Sequence, residues 1–151
     1  VVGRTADARF EAGIRDYAER LKHYISFEFP VLPDLKNTKN LSEEQQKEKE
    51  GIEILDFIKP GDITVLLDEH GHEMRSVEFA EWIQKKFNMS ARRLVFIIGG
   101  PYGFSPAVYR SAGEKLSVSK MTFSHQMIRL VFAEQLYRAM TILNGEPYHH
   151  E

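Results

Sequence analysis

The sequence predicts one α/β domain over residues 1–151, a mainly parallel sheet with helices on both faces. Three observations predict it. Helical and extended stretches alternate along the chain, with no linker and no internal repeat. Two stretches, ITVLLD (Ile63–Asp68) and RLVFIIGG (Arg93–Gly100), are apolar or β-branched almost without a break, as in strands covered on both faces. Between them lies an amphipathic stretch long enough for the helical crossover that parallel neighbours need.

In chain order, Val1-Val2-Gly3 reads as the tail of a first strand cut short. Phe10, Ile14, Tyr17, Leu21 and Tyr24 recur at helical steps and give one apolar face. SFEFPVL (Ser26–Leu32) alternates Phe27 and Phe29 and reads as a strand, and a polar loop follows. Ser42 with Gln45 is a capping box, opening a helix with apolar Ile52, Leu55 and Ile58. Its charged run EEQQKEKE (Glu43–Glu50) reads as a solvated face. Pro60-Gly61-Asp62 turns the chain into the first buried strand. Ser76 is the expected cap of a helix with Phe79, Ile83 and Phe87 inward. Ser105-Pro106 reads as cap and first residue of another helix. LSVS (Leu116–Ser119) reads as a short strand, and a last helix over Ser124–Leu143 stops before Asn144-Gly145.

Composition narrows the function classes. The formal net charge of −2 argues against a protein that grips nucleic acid by bulk charge alone. The chain has no cysteine, which removes disulfides and thiolate chemistry and fits a reducing cytoplasm. No apolar run reaches the length of a membrane span, and no signal-peptide pattern is present.

Open parallel sheets bind ligands at the carboxyl ends of their strands. Here those ends are Leu67-Asp68, Gly99-Gly100 and Val118-Ser119, so three loops are expected to converge on one site. The glycines of FIIGGPYGFSP (Phe96–Pro106) follow a buried strand and precede a capped helix, a place where something approaches the backbone closely. They do not form the G-x-G-x-x-G dinucleotide fingerprint, and no P-loop lysine follows. LSVSKMTFSHQMIR (Leu116–Arg129) adds small hydroxyls and places His125 near a helix start. The last helix is apolar almost all round, so it is either central to the core or packed on a second subunit, and in so small a domain a two-fold dimer is favoured. Its Glu134 and Arg138 read as a surface ion pair of little value. The tail NGEPYHHE reads either as a frayed end or as part of a site. Neither His149-His150 nor His70-Gly71-His72 offers three ligands of usable metal geometry, and His70-Gly71-His72 reads as a loop.

IGGPYGFSP, LSVSKMTFSHQMIRLVFAEQLYRA and GEPYHHE together resemble the RlmH family of small SPOUT-class ribosomal RNA methyltransferases. The resemblance covers nearly the whole chain. It implies an α/β sheet whose C-terminal part forms a trefoil knot, S-adenosylmethionine bound there, and a homodimer. It also implies methylation of N3 of a pseudouridine in 23S rRNA on the assembled ribosome, in the cytoplasm. The implied cofactor contacts are Leu67, Gly99 and the run Val118, Ser119, Lys120, Met121, Thr122 and Phe123, with glycine letting the backbone close around the cofactor. Tyr148-His149 matches the family's ending, close to the target base. His149 is the candidate proton acceptor, Tyr148 and Arg138 position the base, and His125 and Glu134 are held in reserve. Arg129, Arg138, Lys120 and the terminal histidines are the candidate RNA surface. Ser124 and His150 depart from the family's usual Pro and Arg or Lys. No metal and no membrane partner are implied.

Two other classes compete. A non-catalytic nucleotide- or RNA-binding module on the same sheet would bind without transferring a methyl group. A dinucleotide oxidoreductase would need the missing glycine fingerprint and its acidic partner.

Overall fold

The central strand is β1 (Asp62–Glu73), with β2 (Arg93–Ile97) on one side and β3 (Glu114–Ser117) on the other, all parallel. The computed structural model describes residues 1–151. Five helices surround this sheet: α1 (Ala8–Leu21), α2 (Glu43–Phe57), α3 (Ser76–Phe87), α4 (Pro106–Ser111) and α5 (Met127–Leu143). Successive side chains of β1 point to opposite faces. Val65 joins Leu21 of α1, Phe79 and Ile83 of α3 and Phe132 and Leu136 of α5 in one core. Leu66 joins Ile54 of α2 and Val108 of α4 in the other. The α/β class with helices on both faces therefore holds.

Local signals explain most boundaries. Ser42 and Gln45 exchange both bonds of the capping box, at 3.1 and 2.9 Å. Ser105 caps α4 by accepting from the Val108 amide, and Gly145 at φ 67 ends α5. Five expectations need correction. The stretch over Ser26–Leu32 forms only one bridge, Val2 to Leu32, because Pro30 has no N–H and its only neighbour is Val1–Gly3. Ser76 does not cap α3; it is the first helical residue, and the Glu78 carboxylate accepts from the Arg75 amide instead. In α2 the inward residue is Ile54, 2% exposed, while Ile52 is 58% exposed. Phe87 of α3 also lies exposed. β3 begins and ends two residues earlier than expected, which places Val118 and Ser119 in the loop after it.

His70-Gly71-His72 is not a loop but part of β1. Leu67 pairs with Leu116, the chain bulges through Asp68–Gly71, and His72 then pairs with Leu116 again. The two backbones press together there. A Cβ on Gly71 would lie 2.5 Å from the Leu116 carbonyl carbon and 2.7 Å from the Ser117 nitrogen. Neither atom belongs to a flexible side chain, so Gly71→Ala is expected to cost about 1–3 kcal/mol or more. A urea midpoint equal to the parent's would show that the strands do not cross this closely.

Along the whole of β2 runs an apolar groove of about 570 Å³, walled by Phe27, Phe29, Phe57, Leu94, Phe96 and Phe132. It lies beside the outer edge of β2, which Val2 meets only at Ile98. The groove holds none of Leu67, Gly99 and Val118–Phe123, so it is not the ligand site that the strand ends predict.

Candidate active site

Because β1, β2 and β3 are parallel neighbours, Leu67, Gly99 and Val118 follow one another along a single edge of the sheet. The loop after β3 holds its own shape. The Ser117 hydroxyl donates to the Ser119 carbonyl at 2.9 Å, and Ser119 Oγ accepts from the Met121 amide at 2.9 Å. Thr122 donates to Glu69 at 3.3 Å, tying this loop to the bulge of β1. Lys120, Met121, Thr122 and Phe123 stand exposed, and Met121 is 78% exposed. Exposed Met121 and Phe123 on a loop of small hydroxyls suit a flat heteroaromatic ring with polar edges. The residues thus fit a nucleoside cofactor. Tyr109 of α4 donates to the Asp68 carboxylate and closes the neighbouring wall. Burial, then Asp68, pushes the Tyr109 phenol well above its ordinary range, so it remains a donor.

The glycine loop needs a correction. Its closest approaches are to this chain's own side chains. A Cβ on Gly99 would lie 3.0 Å from the Phe104 ring, and one on Gly100 would lie 2.6 Å from Glu50 Oε2. Only Gly103, at φ 79, owes its glycine to the turn.

The tail is neither frayed nor free. Tyr24 of the segment after α1 donates to Glu146 at 2.7 Å. Tyr148 donates to Glu134 at 3.1 Å, and its ring lies 4.8 Å beneath the Arg138 guanidinium. Arg138 pairs with Glu134 and donates to His149 Nδ1 at 3.2 Å. The Glu134–Arg138 pair is therefore half-buried and networked, not a surface pair. Burial, then the Tyr17 hydroxyl and Glu134, pushes the Tyr148 phenol well above its ordinary range, so Tyr148 stays protonated. Arginine can only donate, so Nδ1 must accept and neutral His149 carries its proton on Nε2. That Nε2 is buried with no partner, in a side chain 17% exposed. Finally Arg75 binds Glu151 at 2.7 Å. Arg75 lies two residues past Glu73, which pairs with Ser117 at the end of β3.

Two expected site residues have other duties. Arg129 is not an RNA contact: it is 1% exposed, and its guanidinium donates to Val2 O, Gly3 O, Thr5 Oγ1 and His125 O. His125 packs over it. Burial, then the Arg129 charge, holds the His125 imidazole below its ordinary range. The unfolded chain therefore binds a proton near pH 6.5 that the folded chain resists. Stability is expected to fall as pH drops below about 6.5, and His125→Asn to flatten that slope in a melting-temperature series. Ser124 does act at the helix start, accepting from the Met127 amide at 3.1 Å, although α5 begins at Met127.

Sequence reading missed Glu50, Tyr109 with Asp68, and Arg75 with Glu151. For Glu50 a signal existed: with Gly51, Ile54 and Ile58 it sits on the helix stripe that faces inward. The others are long-range pairs that no local pattern announces.

A parallel sheet with its loops gathered at one edge and a docked polar tail defines a small α/β domain with a ligand site at its strand ends. Residues 1–149 match the family model described as predicted SPOUT methyltransferase, and the chain belongs to that family. It is 68% identical to ribosomal RNA large subunit methyltransferase H of Phocaeicola vulgatus, over the whole chain and 96% of that protein. Identity to the proteins of the same name is 67% in Bacteroides fragilis and 62% in Parabacteroides distasonis, with the same coverage. The chain is thus a methyltransferase. No helix is long and apolar enough to cross a membrane, and no three metal-binding side chains come together.

Proposed function

We propose that this chain methylates N3 of a pseudouridine in 23S rRNA of the assembled ribosome, using S-adenosylmethionine, as a cytoplasmic homodimer. One observation carries the reading: Glu134, Arg138, Tyr148 and His149 form one half-buried polar network on the docked tail. The names of the relatives supply the RNA class. Leu67, Gly99 and Val118–Phe123 would hold the cofactor, which presents a methyl group on a positive sulfur that leaves as a neutral thioether. Met127, apolar and exposed at the start of α5, is surface that a second copy would cover.

The protein must then align the base and let the N3 proton go. Alignment is the larger contribution, up to about 7–11 kcal/mol in well-oriented systems. We assign His149 a role different from proton acceptor. Its Nδ1 is taken by Arg138, so its Nε2–H is free to donate to a carbonyl oxygen of the base. With the Arg138 charge behind it, that donor favours the imide anion, whose proton passes to water. The N3 lone pair would then be the nucleophile toward the methyl group that the cofactor supplies. Tyr148 keeps Arg138 and Glu134 in place.

The test is transfer of tritiated methyl to ribosomes lacking the modification, compared with naked 23S rRNA and a short hairpin. Ribosomes are expected to be the far better acceptor, because net charge −2 gives weak affinity for RNA alone. Cofactor binding without transfer to any acceptor would instead favour a binding module.

A further inference from the structure

We propose that Glu50 and Gly51 of α2 are positioning residues that clamp both ends of the Gly100–Ser105 segment and thereby set the affinity of the adjoining site for an adenosyl cofactor. The proposal rests on the methyltransferase reading above. Glu50 is 5% exposed, an unusual place for a carboxyl on a helix otherwise charged and solvated. Gln46 Nε2 donates to its Oε1 at 3.0 Å, while Oε2 has no hydrogen-bond partner. What the carboxyl does meet is the backbone of Gly100. A Cβ added there would lie 2.6 Å from Oε2, 2.8 Å from Oε1 and 3.0 Å from Cδ. Burial raises the Glu50 carboxyl above its ordinary range, with Gln46 and the Gly100 amide opposing.

The next residue repeats the contact one turn of loop away. A Cβ on Gly51 would lie 2.5 Å from Ser105 Oγ and 3.3 Å from Ser105 Cβ. Ser105 is itself buried and caps α4. Between the two contacts the loop is tightened only by the Gly103 amide bonding Gly100 O at 3.3 Å. Two consecutive residues of α2 therefore decide where the segment sits. Gly99, on the cofactor side, is one peptide from the first contact. Glu50 and Gly100 also share a polar cavity of about 250 Å³ with His125, just past the other cofactor loop, so α2 braces a wall common to both loops.

The experiment measures Kd for S-adenosylhomocysteine by calorimetry on the full chain, with melting temperatures alongside. Gly100→Ala is expected to weaken binding about tenfold or more, because the methyl group drives the loop off the carboxyl. Glu50→Ala should also weaken it, yet the double variant Glu50→Ala/Gly100→Ala should bind more tightly than Gly100→Ala alone, since the truncated side chain makes room. Glu50→Gln, with the same shape, should stay within about threefold of the parent. If Glu50→Ala does not fold, Gly51→Ala takes its place and must weaken binding without unfolding the chain at the assay temperature. A double variant no better than Gly100→Ala, or variants all equal to a parent that binds, overturns the clamp alone. A parent that does not bind the probe overturns the methyltransferase reading and the clamp with it.

Discussion

Replacing His149 by alanine is expected to lower methyl transfer by about 10²–10³-fold while cofactor affinity stays at the parent's value. The reason is the hydrogen bond at 3.2 Å from Arg138 to Nδ1, which leaves Nε2–H as the imidazole's only unpaired polar group. A donor aimed at developing charge accelerates the reaction without contributing to ground-state binding of the methyl donor. His149→Gln keeps an N–H donor and has no titrating nitrogen, so it should recover part of the lost rate. If the imidazole instead took the N3 proton, glutamine would be as inactive as alanine. Single-turnover rates on ribosomes lacking the modification decide between these two outcomes. Arg138→Met should fall at least as far, since it strips His149 and Tyr148 of the same partner.

Arg129→Met is expected to destabilise the fold by about 3 kcal/mol or more, with a melting temperature lower by roughly 6–12 °C. The guanidinium is 1% exposed and makes no ion pair. It serves backbone acceptors of the Val2–Gly3 segment and of His125, at 2.7 to 3.0 Å. Methionine fills much of the volume but leaves those oxygens without donors in a place water does not reach. Hydrogen bonds from a charged donor are worth about 1.5–3 kcal/mol each. Burial pulls the guanidinium pKa down, yet arginine starts so high that it stays charged at neutral pH. A drop of less than about 1 kcal/mol in urea unfolding would mean that the segment finds other donors.

These two arginines show what the sequence could and could not reveal. The layers were legible because unbroken apolar strands and amphipathic crossovers leave few alternatives, and ITVLLD and RLVFIIGG are indeed parallel neighbours. The convergence of Leu67, Gly99 and Val118 follows from that topology alone. Arg129 and Arg138 look alike in the string MIRLVFAEQLYRA, but one is sealed under the sheet edge and the other is held by the tail. Helical periodicity gives a face, not its neighbour, and each neighbour here comes from a distant part of the chain. The run Glu43–Glu50 misled for the opposite reason: five of its residues are the solvated surface they resemble, Gln46 and Lys47 are half-buried, and Glu50 turns inward. The alternation in Ser26–Leu32 is real too, with Phe27 and Phe29 half-buried, but a strand also needs a partner along its length.

The double pairing of Leu116 bears on how the molecule is made. β1 leaves the ribosome well before β3, so the Asp68–Gly71 bulge has nothing to close on until the later strand arrives. None of the sheet is local in sequence, and parallel pairings of this kind form slowly because loop entropy is spent before contacts accumulate. Assembly should therefore be limited by the last third of the polypeptide, and newly made chains should pass through a phase with an open sheet edge. Slow maturation, not weak final stability, would then be this protein's vulnerability in the cell.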